Sequence, residues 1–203
     1  TLATDIRELV RYEPGLSVRN DPFRFGLDTV SVRGLGGNRV AIEVDGIPAA
    51  GGFAVGSYAD SGRAFVDPAF IDRVEFLRGP ASALYGSDAI GGVVALTTLT
   101  PANLLTQGDG PLALRAAAGF DSENDGWNAS ALAAGEAGTS QWLLGYARQE
   151  AHETRTAADV EPDPSDITTD SALARWRAPA PGGPLVVTFE ASRLQQATAV
   201  NAF

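Results

Sequence analysis

The chain has 203 residues, a formal net charge of −10, a pI near 4.5, no cysteine, no methionine and one histidine. An acidic balance of this size argues against a nucleic-acid partner, because phosphate binding needs clustered Lys and Arg. Without cysteine there are no disulfides, zinc–thiolate sites or cysteine nucleophiles, and any histidine-dependent chemistry has to run through His152.

The length suits one large domain or two small ones, long enough to bury a core. No apolar run approaches the roughly 18 to 20 residues that a spanning helix needs. TLATDIRELV lacks the charge pattern of a signal peptide, and the abrupt start is expected of a piece of a longer protein. Residues 5 to 12 are predicted helical: Asp5 and Glu8 have capping-box spacing, Ile6, Leu9 and Val10 share a face, and Pro14-Gly15 ends the run. TVSVRG (29–34) and RVAIEVDG (39–46) alternate as strands and read as a hairpin or as two neighbouring strands. Residues 47–66 read as a loop of Gly, Ala, Ser and aromatics, and Asp67-Pro68 starts a helical turn. The run RVEFLRGPASALYGSDAIGGVVALTT (73–98) predicts a strand at Val74–Leu77, a break at Gly79-Pro80, a helical turn closed by Gly86, and a return strand at Val93–Thr98. Residues 1–105 are therefore expected to form an α+β domain with a small mixed sheet.

The composition shifts at TPANLLTQGDGP (100–111). Five runs of about 8 to 11 residues follow: LALRAAAGF (112–120), WNASALAAG (127–135), QWLLGYARQEA (141–151), SALARWRA (171–178) and LVVTFEASRL (185–194). The connectors EAGTS and PAPGGP are short, whereas 152–170 is long and acidic. Alternating strands of this length with unequal loops are the signature of a transmembrane β-barrel. A soluble β-domain gives the same alternation.

Motifs for bond-making chemistry fail one by one. GLGGNR (34–39) has Arg39 where a dinucleotide fingerprint needs its third glycine, and a strand follows where a helix is required. DSENDG (121–126) opens like a calcium loop, but the twelfth position holds Leu132 in place of a bidentate Glu. There is no nucleophile elbow and no P-loop, and His152 lies in the polar run AHETRTAAD as a solvated loop histidine would. No catalytic residue and no metal site is expected, and the chain does not read as an enzyme.

With those excluded, SVRG (31–34), VDGIP (44–48), IDRVEFLRGP (71–80) and ALYGSDAIGG (83–92) carry the information. In order and spacing they resemble the plug domain of TonB-dependent outer-membrane receptors. The resemblance implies a plug inside a 22-stranded barrel, with residues 112–203 supplying the first five or so strands of an incomplete transmembrane wall. The short connectors would then be periplasmic, and DSENDG and 152–170 extracellular. A signal peptide, a TonB box and about seventeen strands would lie outside this sequence.

LVRYEPGLSV, VRGLGGNRV and YGSDAIGGVVA are most similar to the haem and haemoglobin receptor subgroup. The implied function is active uptake of an iron-bearing ligand, haem or haemoprotein-derived haem, across the bacterial outer membrane, energised by the TonB complex. Haem would be cargo, with no resident cofactor. A siderophore, cobalamin or glycan receptor of the same family remains an alternative, as does a soluble β-rich binding module. Arg33, Glu75 and Arg78 lie on plug strands at the family's motif positions, and the resemblance implies that such plug charges pair with barrel-wall carboxylates across the lumen. Loops 35–38 and 49–60 would face outward, making Asn38, Phe53 and Tyr58 the candidates for ligand contact. If haem is the cargo, axial ligation is expected from loops beyond residue 203, from a tyrosine such as Tyr58, or from His152.

Overall fold

The computed structural model describes residues 13–18, 30–55, 59–61, 66–107, 110–122, 124–153 and 165–198. The helix expected at 5–12 lies outside the described residues. The chain divides into two units, Thr1–Thr98 and Leu99–Phe203.

In the first unit, β1 (Leu16–Val18) and β2 (Val30–Val32) pair antiparallel, with Leu16 opposite Val32. Of the two readings of TVSVRG and RVAIEVDG, the hairpin does not form, because β2 takes β1 as its partner, whereas Val30 and Val32 do share a core cluster with Val40 and Ile42. The chain reverses directly after β2, through Arg33 and Gly34 at φ 51° and 80°. Val32 and Leu35 exchange backbone hydrogen bonds of 2.8 and 3.0 Å across that turn. Two consecutive positive φ values make a primed turn, which ends the pairing before β3 (Val40–Val44) begins.

The main sheet runs β4 (Ile47–Pro48), β3, β8 (Gly92–Thr98), β7 (Ile71–Arg78). It is mixed as expected: β3 and β8 are parallel and the other two pairs antiparallel. The two central strands are buried on both sides. Val40, Ile42, Val94 and Leu96 pack with Val30 and Val32 on one face, and Ala41 and Val93 with Ala81 and Ala89 on the other. Full burial of each branched side chain contributes about 1.5–3 kcal/mol, so GVVAL reads as a continuous apolar run. Around it the strand–break–helix–return of 73–98 forms as expected. Gly79 and Ala81 donate to the carbonyls of Gly91 and Ala89, and the short helix Ser82–Tyr85 stops at Gly86 (φ 87°). Asp67 caps the turn Pro68–Phe70 by accepting from the Ala69 N–H at 2.9 Å, which buries Phe70.

The stretch 47–66 departs from the expected loop. It contains β4 and a hairpin of β5 (Phe53–Val55) with β6 (Ala59–Ser61). β4 exists because Asp45 and Gly46, at φ 51° and 77°, make a two-residue primed turn. The Asp45 carboxylate also accepts the Thr98 N–H at 2.8 Å and the Thr98 hydroxyl at 2.6 Å, and the Asp45 N–H donates to the Leu96 carbonyl at 2.9 Å. Asp45→Ala is expected to destabilise this unit by about 2 kcal/mol, because two hydrogen bonds and a left-handed residue are lost together. Asp45→Asn should retain most of that stability, since Asn keeps an acceptor oxygen and tolerates positive φ. Urea unfolding curves of the two variants check the order.

The second unit is an antiparallel meander of β9 (Leu112–Asp121), β10 (Gly126–Ala137), β11 (Ser140–Ala151), β12 (Ser165–Ala180) and β13 (Gly183–Thr198). Two-residue turns, 138–139 and 181–182, close one end. The other end carries the longer connections 122–125 and 152–164. β12 and β13 are longer than their alternating cores, since the polar residues beyond those cores stay in the backbone ladder up to Ser165 opposite Thr198. The short helix Pro101–Leu105 packs on β9, β10, β11 and β12 and belongs to this unit, although the expected plug ran to residue 105. Asn103 and Thr100 form its capping box, and Leu104 is buried beneath it.

Candidate functional site

The first unit places the candidate ligand loops next to each other. Asn38 lies in the helical turn Gly37–Arg39. Its amide Nδ2 donates to the Gly52 carbonyl at 3.0 Å, and its Oδ1 accepts the Gly52 N–H at 2.7 Å. Asn38 thus clamps the backbone immediately before Phe53, the first residue of β5. Tyr58 lies outside the described residues.

The motif charges take distinct positions. Arg33, expected on a strand, is instead the first residue of the primed turn after β2, and its N–H donates to the Gly15 carbonyl at 2.7 Å. Arg78, the last residue of β7, pairs with Glu13. Arg33 and Arg78 therefore both fasten the segment 13–15. Glu75 lies apart from them, exposed on β7 with its carboxylate 3.8 Å from Arg73. Ion pairs this exposed are worth at most about 1 kcal/mol each, so they hold register while remaining breakable. Glu13, Asp45 and Gly52 escaped sequence reasoning. Only Asp45 had a usable signal there, as the first residue of an Asp-Gly pair.

In the second unit the register sorts the strands into two faces. One face carries Leu112 and Leu114 on β9, Ala131 and Ala133 on β10, Leu144 on β11, and Val187 and Phe189 on β13. Trp142 opposite Trp176 borders this apolar field near the two-residue turns, and Phe120 opposite Trp127 borders it near the long loops. Trp127 stands opposite Glu150, eight residues beyond Trp142 on β11. Eight residues span about 27 Å along a strand, or about 20 Å of height at the tilt of a barrel wall, close to the ~25 Å apolar band flanked by aromatic girdles. The opposite face is mixed, with Asn128, Gln149, Thr169, Arg175 and Glu190 alongside the buried Leu132, Leu143, Ile167 and Leu173. There the Arg175 guanidinium donates to the Leu99 carbonyl and to Thr188 Oγ1, both at 3.0 Å. No described helix is long and apolar enough to cross a membrane, whereas these strands have the dimensions to do so.

At the long-loop end, His152 Nδ1 lies 2.7 Å from Asp166 Oδ1, and the His152 N–H donates to the Asn124 carbonyl at 3.1 Å. The side-chain pair brackets the connection 152–164, and the backbone bond ties its start to the connection 122–125. Among the described residues no three metal-ligating side chains converge.

Residues 1–93 match a family model described as the TonB-dependent receptor plug domain. The chain belongs to the TonB-dependent receptors. These receptors reside in the bacterial outer membrane, and the apolar, aromatic-bordered face of β9–β13 meets the physical demand of that location. The receptor chain is 33% identical over 181 residues to a hemin receptor of Yersinia enterocolitica, covering 86% of this chain and 25% of that protein. It is 31% identical over 164 residues to transferrin-binding protein A of Haemophilus influenzae, covering 77% and 18%. Among solved structures, the FrpB iron transporter from Neisseria meningitidis (F5-1 variant) superimposes with a TM-score of 0.75 at 27% identity, over 93% of this chain and 29% of that one. The chain therefore spans about a quarter or less of the length of the curated relatives it matches.

Proposed function

We propose that this chain is the plug and the opening wall strands of an outer-membrane receptor that imports an iron-bearing ligand, with haem as the favoured cargo. The observation that carries the reading is the likeness to a hemin receptor over 181 residues, a length that takes in both units. Haem would be bound and passed on rather than transformed, so the protein would act as a transporter and not as an enzyme. Energy would come from the TonB complex, and outer-membrane lipid would surround the apolar face of β9–β13.

In this reading the clamp from Asn38 to Gly52 presents the Phe53 segment to ligand, with Tyr58 further along the same loop. The breakable contacts of Arg33 and Arg78 with residues 13–15 would hold the plug at rest, and Glu75 would pair with the wall. Likeness to a transferrin-binding protein supports a second reading, in which the iron source is a protein without haem.

The deciding experiment is a haem titration of the full-length receptor followed at the Soret band, with transferrin and a siderophore panel alongside. Saturable Soret growth at stoichiometric haem is the expected result. Weakening by Asn38→Ala would support the loop assignment, because that substitution frees the backbone before Phe53. Siderophore or transferrin binding with a flat Soret response would replace haem as the cargo.

A further inference from the structure

We propose that the stretch Leu99–Gln107 is a fixed anchor, seated on β9–β12 and locked by Arg175, so that the movable part of the chain ends at Thr98. The inference rests on the import reading, in which the first unit is the part that moves. Two consecutive residues carry it. Thr98, the last residue of β8, is held from within the first unit, where the Asp45 carboxylate accepts both its N–H and its hydroxyl. The carbonyl of Leu99 is held from within the second unit, where it accepts from Arg175 Nη1 at 3.0 Å. No residue of slack separates the two attachments.

The two differ in how readily they open. Arg175 is 7% exposed, and a guanidinium keeps its charge at any working pH. Leu99 supplies one acceptor, and Thr188 Oγ1 on β13 supplies another at 3.0 Å. Drawing Leu99 away would leave a buried cation short of an acceptor, which costs more than losing a neutral hydrogen bond. The Asp45–Thr98 bonds are only part-buried, so water can take their place as they open. The junction therefore yields on the Thr98 side first.

The helix that follows depends on the same seat. Pro101–Leu105 has five residues, far short of the length at which an isolated helix persists in water. Its capping box joins Thr100 to Asn103, and the Ala102 carbonyl accepts the Thr106 N–H at 3.0 Å and the Thr106 hydroxyl at 2.8 Å. Leu104 is buried, and the helix packs on four strands of the wall. It exists only while docked, so protection of its amides reports the docking. Beyond it the Glu136 N–H on β10 donates to the Pro111 carbonyl at 2.9 Å, which fastens the far end of the connection as well.

Hydrogen–deuterium exchange of the full-length receptor in detergent micelles, in graded urea, tests the anchor. Where the amides of β3 and β8 have opened, those of Asn103, Thr106 and Gln107 should stay protected along with β10 and β11. Arg175→Leu should speed exchange across 99–107 about tenfold, the equivalent of one hydrogen bond to a charged group, and leave β10 and β11 unchanged. Arg175→Lys should fall between, because an ammonium keeps the charge without the fork. Arg177→Gln, two residues on along the same face, should match the unaltered receptor. Exchange of 99–107 in step with β8 overturns the proposal, and so does an Arg175→Leu variant that exchanges like the unaltered receptor. Should Arg175→Leu fail to assemble, the order of opening in the unaltered receptor decides. A flat Soret response to haem while 99–107 stays with the wall removes the cargo reading and leaves the anchor standing.

Discussion

Gly92→Ala is expected to destabilise the first unit by at least about 3 kcal/mol, the upper range for forced overpacking. A Cβ added at Gly92 would sit 2.4 Å from the Leu77 carbonyl oxygen and 3.2–3.3 Å from both Val32 methyls. The Leu77 carbonyl belongs to the β7–β8 ladder, where Arg78 stands opposite Gly92, so it cannot withdraw without opening the sheet. Gly37 provides the contrast. Its added Cβ would meet nothing within 4 Å, and only its φ of 61° opposes substitution, so Gly37→Ala should cost about 1 kcal/mol. Urea unfolding of residues 1–105 expressed alone, followed by circular dichroism, separates the two. Should that piece lack a cooperative transition, protease resistance of the same variants in the full receptor gives the ranking. A Gly92→Ala variant as stable as Gly37→Ala would mean that β7 and β8 do not approach as described.

Leu144→Arg should produce the second large effect, a loss of about 2 kcal/mol in folding into a bilayer, between the ~2–4 kcal/mol of a cation at the midplane of a barrel's lipid face and the ~0–1 kcal/mol near its edges. Leu144 lies between the Trp142 and Tyr146 rows and is 54% exposed. Ser192→Arg, on the opposite face of β13, should cost less than about 1 kcal/mol. Folding titrations of the full receptor into liposomes, scored by the heat-modifiable band on a denaturing gel, measure both. Equal costs at the two positions would contradict the assignment of faces.

Some of this was legible in the residues. Asp67-Pro68 announced the capped turn that buries Phe70, and Gly79-Pro80 with Gly86 announced the break and the short helix, because these signals act within a few residues. The five long strands and their unequal connections followed from alternation and from loop lengths. Pairing partners were less accessible. β1 is three residues long and β4 two, too short for a period to register. The partner of β2 was settled by the reversal at Arg33-Gly34, which took the strand away from β3.

The candidate site divides in the same way. The motif run marked Arg78 and Glu75, and the glycine-rich loops marked Asn38, yet nothing local connects Arg78 with Glu13, Asn38 with Gly52, or Asp45 with Thr98. These contacts bridge 65, 14 and 53 positions in the chain.

By itself the sequence determined the element types, the membrane-like period of the second half and the family motif, since each is written in neighbouring residues. The tertiary structure alone decided which strands pair, which end of the apolar face carries charge, and which motif residues anchor the segment 13–15. A period of two states that alternate residues share a face, but only the register across neighbouring strands brings Arg148, Asp170 and Arg193 into one row.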